Sequence, residues 1–452
     1  MTRVRLSSAL AALLFASTAF LATFVPGSIR ASSPNIVMII SDDHAWTDYS
    51  FQKHPHIQTP HLDKLAAESL TFTRGYVPSS LCCPSLVSMI TGLYPHQHRI
   101  TSNDPPLPKD KKGAAANRDP QFLAQRQQMI GFIDEVPTLP KLLGEKGYLS
   151  FQTGKWWQGA FRRGGFTHGM TTGEPGKGGR HGDQGLEIGR KTMQPIYDFV
   201  NMSVEQKKPF FVWYAPMMPH DPHTPPERLL AKYRPLTDSL HAARYWAMVE
   251  WFDETCGQLL GFLDERKLRD DTIVVYVTDN GWIQSLDNPR YAPKSKQSPY
   301  DGGLRTPIMI RWPGRIEPQM SPHLASSLDL APTLLKAVGI APPADLPGLN
   351  LLDAQAVAAR KHVTGECFTH NAVDIQRPAA SLRWRWIVRD DWKLIVPNPT
   401  NEPDGVVELY HLSEDPHETK NLADQSPDRV ADLRRQLDDW WPAVGQASSL
   451  SP

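Results

Sequence analysis

Five short stretches of the chain carry residue types able to act on an anionic substrate. The first is Ser80-Leu81-Cys82-Cys83-Pro84-Ser85-Leu86, continuing to Thr91-Gly92. Pro84 suits the first turn of a helix and Gly92 its C-terminal stop. Cys82 then stands at a helix N-terminus, where free N–H groups and the helix dipole favour negative charge. The same position also suits a buried structural thiol. The second stretch is Ser41-Asp42-Asp43 and the third Thr278-Asp279-Asn280-Gly281, each directly after an apolar run. Three carboxylates and one amide are hard oxygen donors, which suit Ca²⁺ or Mg²⁺ better than zinc. Either pair alone also suits an Asx turn or a helix cap.

The fourth stretch is Pro219-His220-Asp221-Pro222-His223-Thr224-Pro225-Pro226. A histidine there can pass a proton to a leaving group near neutral pH, and prolines stiffen its loop. The fifth is Lys296-Gln297-Ser298-Pro299-Tyr300-Asp301-Gly302-Gly303, whose lysine can meet an anionic oxygen or simply face solvent.

Positioning these groups requires strands that end where they begin. Asn35–Ser41, Phe210–Tyr214 and Ile273–Thr278 are continuous apolar runs, the pattern of strands buried on both faces. Helical patterns lie between them, at 60–70, 138–146 and 240–263. Strands alternating with helices give an α/β fold, a large and mostly parallel sheet sandwiched by helices. In such sheets ligands bind beyond the carboxyl ends of the strands, which is where both acidic pairs fall. Residues 104–126 and 162–185 read as two long loops, the second Gly-rich and basic. Its Gly173-to-Arg180 string lacks the glycine spacing and the following Ser or Thr of a Walker A loop. After a Pro-rich turn near 342–347, strands are expected at 385–388, 392–396 and 408–412. A closing amphipathic helix is expected from 427 to 440. These form a smaller C-terminal α+β unit.

Taken in order, the five stretches resemble the formylglycine-dependent (type I) sulfatases of the alkaline phosphatase superfamily. The run Leu409-Tyr410-His411-Leu412-Ser413-Glu414-Asp415-Pro416-His417-Glu418-Thr419-Lys420-Asn421 is similar to that family's C-terminal signature. The resemblance implies that Cys82 is oxidised to formylglycine by a formylglycine-generating enzyme and that the aldehyde hydrate is the nucleophile. It implies Asp42, Asp43, Asp279 and Asn280, with position 82, as ligands of a Ca²⁺ ion. Lys155, in Gly154-Lys155-Trp156, would contact hydrate or sulfate, Lys296 would bind sulfate and His220 would protonate the departing alcohol. Arg180, His181 and His223 are assigned to substrate binding. Two positions depart from the pattern. Leu86 stands where the family's Cys-x-Pro-x-Arg motif has arginine, and Trp157 where its Gly-Lys-Trp-His motif has histidine. His96, His98 or a histidine of the Gly-rich loop would have to replace the latter as a base.

The expected function is release of sulfate from a sulfated carbohydrate. Phosphodiester or phosphonate hydrolysis on the same frame, and non-catalytic binding of sulfated glycans, are the alternatives. Lys plus Arg equals Asp plus Glu at 48 each, which gives no polyelectrolyte signal for nucleic acid. Arg3 and Arg5 precede an uncharged apolar stretch ending at Val25, with Pro26 and Gly27 beyond it. This is the order of a signal peptide over residues 1–31, so export to the periplasm or medium is expected, with an N-terminal anchor as alternative. No stable membrane partner is expected. The expected domains are a catalytic one over 32–360 and a C-terminal one over 361–452. Four cysteines are too few for a disulfide scaffold, although a Cys256–Cys367 bridge stays open.

Overall fold

The computed structural model describes residues 33–111, 113–173 and 180–442. The expected signal peptide lies outside them, as does most of the Gly-rich string. Eight strands form the main sheet: β1 (Asn35–Ser41), β2 (Leu70–Tyr76), β3 (Leu149–Gly154), β4 (His168–Gly169), β5 (Phe210–Ala215), β6 (Thr272–Thr278), β7 (Arg305–Arg311) and β8 (Gln319–Ser326). Their spatial order is β4-β3-β5-β1-β6-β7-β2-β8, and only β7 runs antiparallel to its neighbours. The three apolar runs are the adjacent central strands β5, β1 and β6, and every residue of β6 is buried.

Side-chain alternation explains why β1 must be apolar throughout. Ile36, Met38 and Ile40 enter one core, with Val87 and Ile90 of the helix Cys82–Thr91. Val37 and Ile39 enter the opposite core, with Met248, Phe252 and Leu259 of the helix Leu240–Glu265. A strand covered on both faces has no side on which a polar residue is cheap.

The helices expected near 60, 138 and 240 form as Pro60–Ala67, Leu139–Gly144 and Leu240–Glu265. Leu70 belongs to β2 and not to the preceding helix. The long loop expected over 104–126 is corrected: it contains the helix Gly113–Asn117 and the start of another, Pro120–Gly131. Asp119 caps the second, its carboxylate accepting from the backbone N–H groups of Gln121 and Phe122, with Pro120 in the first turn.

The C-terminal unit is a second, antiparallel sheet of β9 (His362–Phe368), β10 (Leu382–Arg389), β11 (Trp392–Pro397) and β12 (Glu408–His411), ordered β12-β11-β10-β9. The helix Pro427–Trp440 covers one face through Leu433 and Leu437, against Ile387, Leu394 and Leu409. Trp386, Ile395 and Tyr410 on the other face join the main core. At this junction the buried Lys393 ammonium lies 2.8 Å from both Asp301 Oδ1 and Glu418 Oε1, and Asp301 N–H donates to Glu418 Oε2 at 2.6 Å. Glu418 belongs to the C-terminal signature, and Lys294 donates to its backbone carbonyl. The signature therefore anchors both ends of the segment that carries Lys296.

All four cysteines are buried free thiols. Cys256 and Cys367 lie in opposite cores, so the bridge left open by the sequence does not form. No helix among the described residues is long and apolar enough to cross a membrane.

Candidate active site

The carboxyl ends of β1 and β6 are adjacent because the two strands pair from Asn35–Thr272 to Ser41–Thr278. Asp42 and Asp43 leave β1 there, and Asp279 and Asn280 leave β6. Asp43 adopts a φ of 62°, a left-handed conformation that aspartate tolerates better than most residues. Its N–H donates to Asp279 Oδ1 at 3.2 Å, and Asp279 N–H donates to Ser41 O at 2.9 Å. Gly281 lets the strand end approach the Gly302-Gly303 turn, since a Cβ there would meet Gly302 O at 2.2 Å.

Two lysines reach into this cluster. Lys155 follows β3, where Gly154 (φ 74°) passes so close to Ala215 O that a Cβ would sit 1.9 Å from it. Its ammonium is 2.7 Å from Asp42 Oδ1 and 3.5 Å from Asp279 Oδ2. Lys296 Nζ is 2.7 Å from the Asp43 carboxylate. Burial works against both ammonium charges. The carboxylate partners, Asp42 for Lys155 and Asp43 for Lys296, outweigh it, so both pKa values rise above the ordinary lysine value. Burial likewise raises the Asp43 carboxyl, but Lys296, His220 and Lys155 hold it below its ordinary range. Asp279 is pushed well up by burial and by Asp42.

Cys82 opens the helix Cys82–Thr91, as the sequence implied, and Gly92 ends it with a φ of 76°. Asn103 Oδ1 accepts from Cys83 N–H at 3.0 Å, a cap that the sequence did not reveal. Burial pushes the Cys82 thiol up to about 12 despite Lys155 and Lys296, so the unmodified side chain is a poor nucleophile at neutral pH. His220 Nε2 lies 3.4 Å from Asp43 Oδ2, while Nδ1 lies 2.8 Å from Asp221 Oδ1. One ligand atom from each of Asp42, Asp43, Cys82 and His220 falls within 4.8 Å of the others.

This donor set fits a divalent cation. Asp42 Oδ2, Asp279 Oδ2 and Asn280 Oδ1 are buried and have no hydrogen-bond partner. Asn280 spends its amide N–H on Asp43 Oδ1 at 2.6 Å, which leaves its own oxygen as a free acceptor. Buried acceptors without donors are costly unless something positive completes them. Three carboxylates also outnumber the two lysines among them.

The remaining candidates lie around this centre. Trp157, which stands where the resembled Gly-Lys-Trp-His motif has histidine, is buried, and the His181 ring meets it edge-on at 4.4 Å. The Arg180 guanidinium stands 5.0 Å from the Trp157 ring and is paired with Asp104, which Arg126 also binds. His223 packs against Tyr245 and Trp282, with Lys296 5.5 Å from the Trp282 ring. Burial pushes His181 down to about 2 and His223 to about 4, so both rings are neutral near pH 7. His96 and His98 are engaged elsewhere, with Glu366 at 2.9 Å and Ser88 Oγ at 3.1 Å. Leu86 is enclosed in the apolar core.

Arg190 is a residue that sequence reasoning missed. Its guanidinium donates to Met217 O at 2.6 Å, His220 O at 2.7 Å and Pro222 O at 3.2 Å, and so pins the loop that presents His220. Its partners are backbone carbonyls, which leave no trace in side-chain patterns.

Known proteins are similar to this chain over most of its length. The family model described as Sulfatase matches residues 34–340. That described as N-sulphoglucosamine sulphohydrolase, C-terminal, matches residues 294–441. N-acetylgalactosamine-6-sulfatase of Canis lupus familiaris is 28% identical over 365 residues, covering 71% of this chain and 66% of that protein. The chain thus spans just under two thirds of that relative's length. Arylsulfatase A of Bos taurus is 28% identical over 471 residues, covering 90% and 86%. The crystal structure of Ps i-CgsB superposes with a TM-score of 0.72 at 22% identity, covering 92% of this chain and 94% of that one.

Proposed function

The chain belongs to the sulfatase family, and from that premise we propose that it hydrolyses sulfate esters of carbohydrates, with the side chain at position 82 as nucleophile beside a divalent cation. The observation that carries this reading is the set of three buried oxygens without a hydrogen bond, on Asp42, Asp279 and Asn280, in a cluster that also holds Cys82, two lysines and His220. A carbohydrate substrate is supported by the mammalian relatives named N-acetylgalactosamine-6-sulfatase.

In this reading Asp42, Asp43, Asp279 and Asn280 hold the cation, Ca²⁺ or Mg²⁺. When bound, the cation supplies the positive charge that screens repulsion between a sulfate ester and an anionic attacker. Cys82 is oxidised by a formylglycine-generating enzyme, and the formylglycine hydrate supplies a hydroxyl nucleophile at the helix N-terminus where the thiol stands. Lys155 and Lys296, both charged at neutral pH, take the sulfate oxygens and stabilise charge that grows on them during transfer. Asp221 orients the His220 ring through Nδ1, and Nε2 delivers the proton to the departing alcohol. Arg180, His181 and His223 line the approach for the sugar. The charge order of residues 1–31 supports export.

The test is sulfate release from 4-nitrophenyl sulfate and from N-acetylgalactosamine 6-sulfate by protein made in its native host. We expect turnover that a chelator removes and Ca²⁺ or Mg²⁺ restores, and none from Cys82→Ala. Equal turnover by Cys82→Ala, or faster cleavage of a phosphodiester than of either sulfate, would overturn the reading.

A further inference from the structure

Beside the His220 loop lies a cleft of about 480 Å³ whose far side, beyond Asp221 and His223, the chemistry above does not use. Asp221, Pro222 and His223 form one wall, His241 and Arg244 the other, and Pro289 stands at its edge. Arg244 and His241 are three residues apart in the helix Leu240–Glu265 and so share one helical face. Both are half-buried. Most arginines near this centre are committed: Arg190 to the carbonyls of the His220 loop, Arg180 and Arg126 to Asp104, and Arg228 to Glu254. Arg244 differs. Among the described residues it makes no ion pair and no side-chain hydrogen bond, although it is partly withdrawn from water in a concave site. The one carboxylate in the cleft, Asp221, is engaged by His220 at 2.8 Å.

We propose that this cleft receives the alcohol half of the ester, and that Arg244 reads a second anionic group, a sulfate or a carboxylate, carried by that sugar. The inference rests on the sulfate-ester reading and narrows it to a substrate class: saccharides bearing another anion besides the scissile sulfate. The placement follows from the proton path. The leaving oxygen must lie within reach of His220 Nε2, and a sugar attached to it that runs on along residues 221–223 comes to the wall of this cleft. A guanidinium is the group suited to the far end. Its planar donors bind sulfate or carboxylate in pairs, and it is weakly hydrated, so it loses less than an ammonium on entering a cleft. The proline-rich rim contributes rigid apolar faces at little cost in ordering.

The experiment compares N-acetylgalactosamine 6-sulfate with N-acetylgalactosamine 4,6-disulfate on the wild type, Arg244→Gln and Arg244→Lys. Binding is read by calorimetry, which needs no turnover, and kcat/KM is measured in parallel. Hydrolysis of 4-nitrophenyl sulfate by the same preparations reports separately on the sulfate-ester reading. We expect the wild type to favour the disulfate. Arg244→Gln should reduce that preference about tenfold or more, mainly through binding and KM, with partial recovery in Arg244→Lys. Equal binding of the two sugars by the wild type, or an undiminished preference in Arg244→Gln, would overturn the proposal. Loss of 4-nitrophenyl sulfate turnover in the wild type would instead count against the reading on which it rests.

Discussion

The protein contains two buried ionic clusters, and they are built to different ends. At the junction of the sheets, Lys393 is shared by Asp301 and Glu418, with Arg305 3.6 Å from Asp301 and Tyr76 donating to it at 3.2 Å. Burial raises Glu418 to about 7, so part of its charge is removed by a proton. At the ends of β1 and β6, Lys155 and Lys296 meet three carboxylates, yet one oxygen each of Asp42, Asp279 and Asn280 makes no hydrogen bond. In the junction cluster the one carboxylate oxygen without a hydrogen bond, Glu418 Oε1, is met by the Lys393 ammonium at 2.8 Å, so its charges are answered from within and it holds two sheets together. The strand-end cluster is complete only with something added, and its cost is the signature of a site.

The sharpest way to break this contrast is to neutralise one member of each cluster. Asp279→Asn should lower sulfate release by roughly a thousandfold or more, since it removes both a cation ligand and a Lys155 partner. Without metal the variant should be at least as stable as the wild type, because burial and the neighbouring Asp42 both disfavour a carboxylate at position 279. Saturating Ca²⁺ should raise the melting temperature of the wild type and not of the variant, as differential scanning calorimetry would show. Lys393→Met should behave in the opposite way. Two carboxylates left buried without their cation should cost about 3–5 kcal/mol in denaturant unfolding, while the Ca²⁺-dependent shift persists.

A smaller effect sharpens the picture at the site itself. Arg190→Ala releases the carbonyls of residues 217, 220 and 222 and should lower kcat/KM about 10–100-fold by misplacing His220. Stability should change far less than in Lys393→Met. The smallest effect concerns a buried group outside both clusters. His98 is held at about 3 by burial, below its ordinary value of 6.5. A depressed folded-state pKa means that the unfolded chain binds the proton first. This histidine therefore costs stability as pH falls below 6.5, by up to about 1.4 kcal/mol per pH unit. Between pH 7 and 5.5 the unfolding free energy of His98→Gln should fall less steeply than that of the wild type.

How much of this was legible in the sequence depended on whether a feature is local. The central strands were, because a strand covered on both faces must be apolar at every position, as in residues 35–41 and 272–278. The acidic pairs were legible because they follow those runs at once. The edge strand β8 was not: its residues Gln319, Met320, Pro322 and His323 are exposed, so burial imposes no pattern on them. β2 hid for another reason: Thr71 is buried with its hydroxyl donating to Ala66 O at 2.9 Å, while Thr73 and Arg74 are only half-buried, so polar residues break the apolar run. The helix beginning at Pro120 did announce itself through Asp119-Pro120, but the prolines and lysines before it hid the signal. Arg190, the Asn103 cap and the pairing of Asp104 with Arg126 and Arg180 join residues far apart in the chain, through backbone carbonyls or single charges. No spacing rule reaches them. The free Arg244 is likewise visible only once its neighbours are known.

The most direct test of the account is mass spectrometry of the peptide containing Cys82, from protein purified from its native host and shown to release sulfate. The account predicts an aldehyde at position 82 in the active protein, despite Leu86 standing four residues on. An intact thiol at position 82 in protein that still turns over sulfate esters would contradict it.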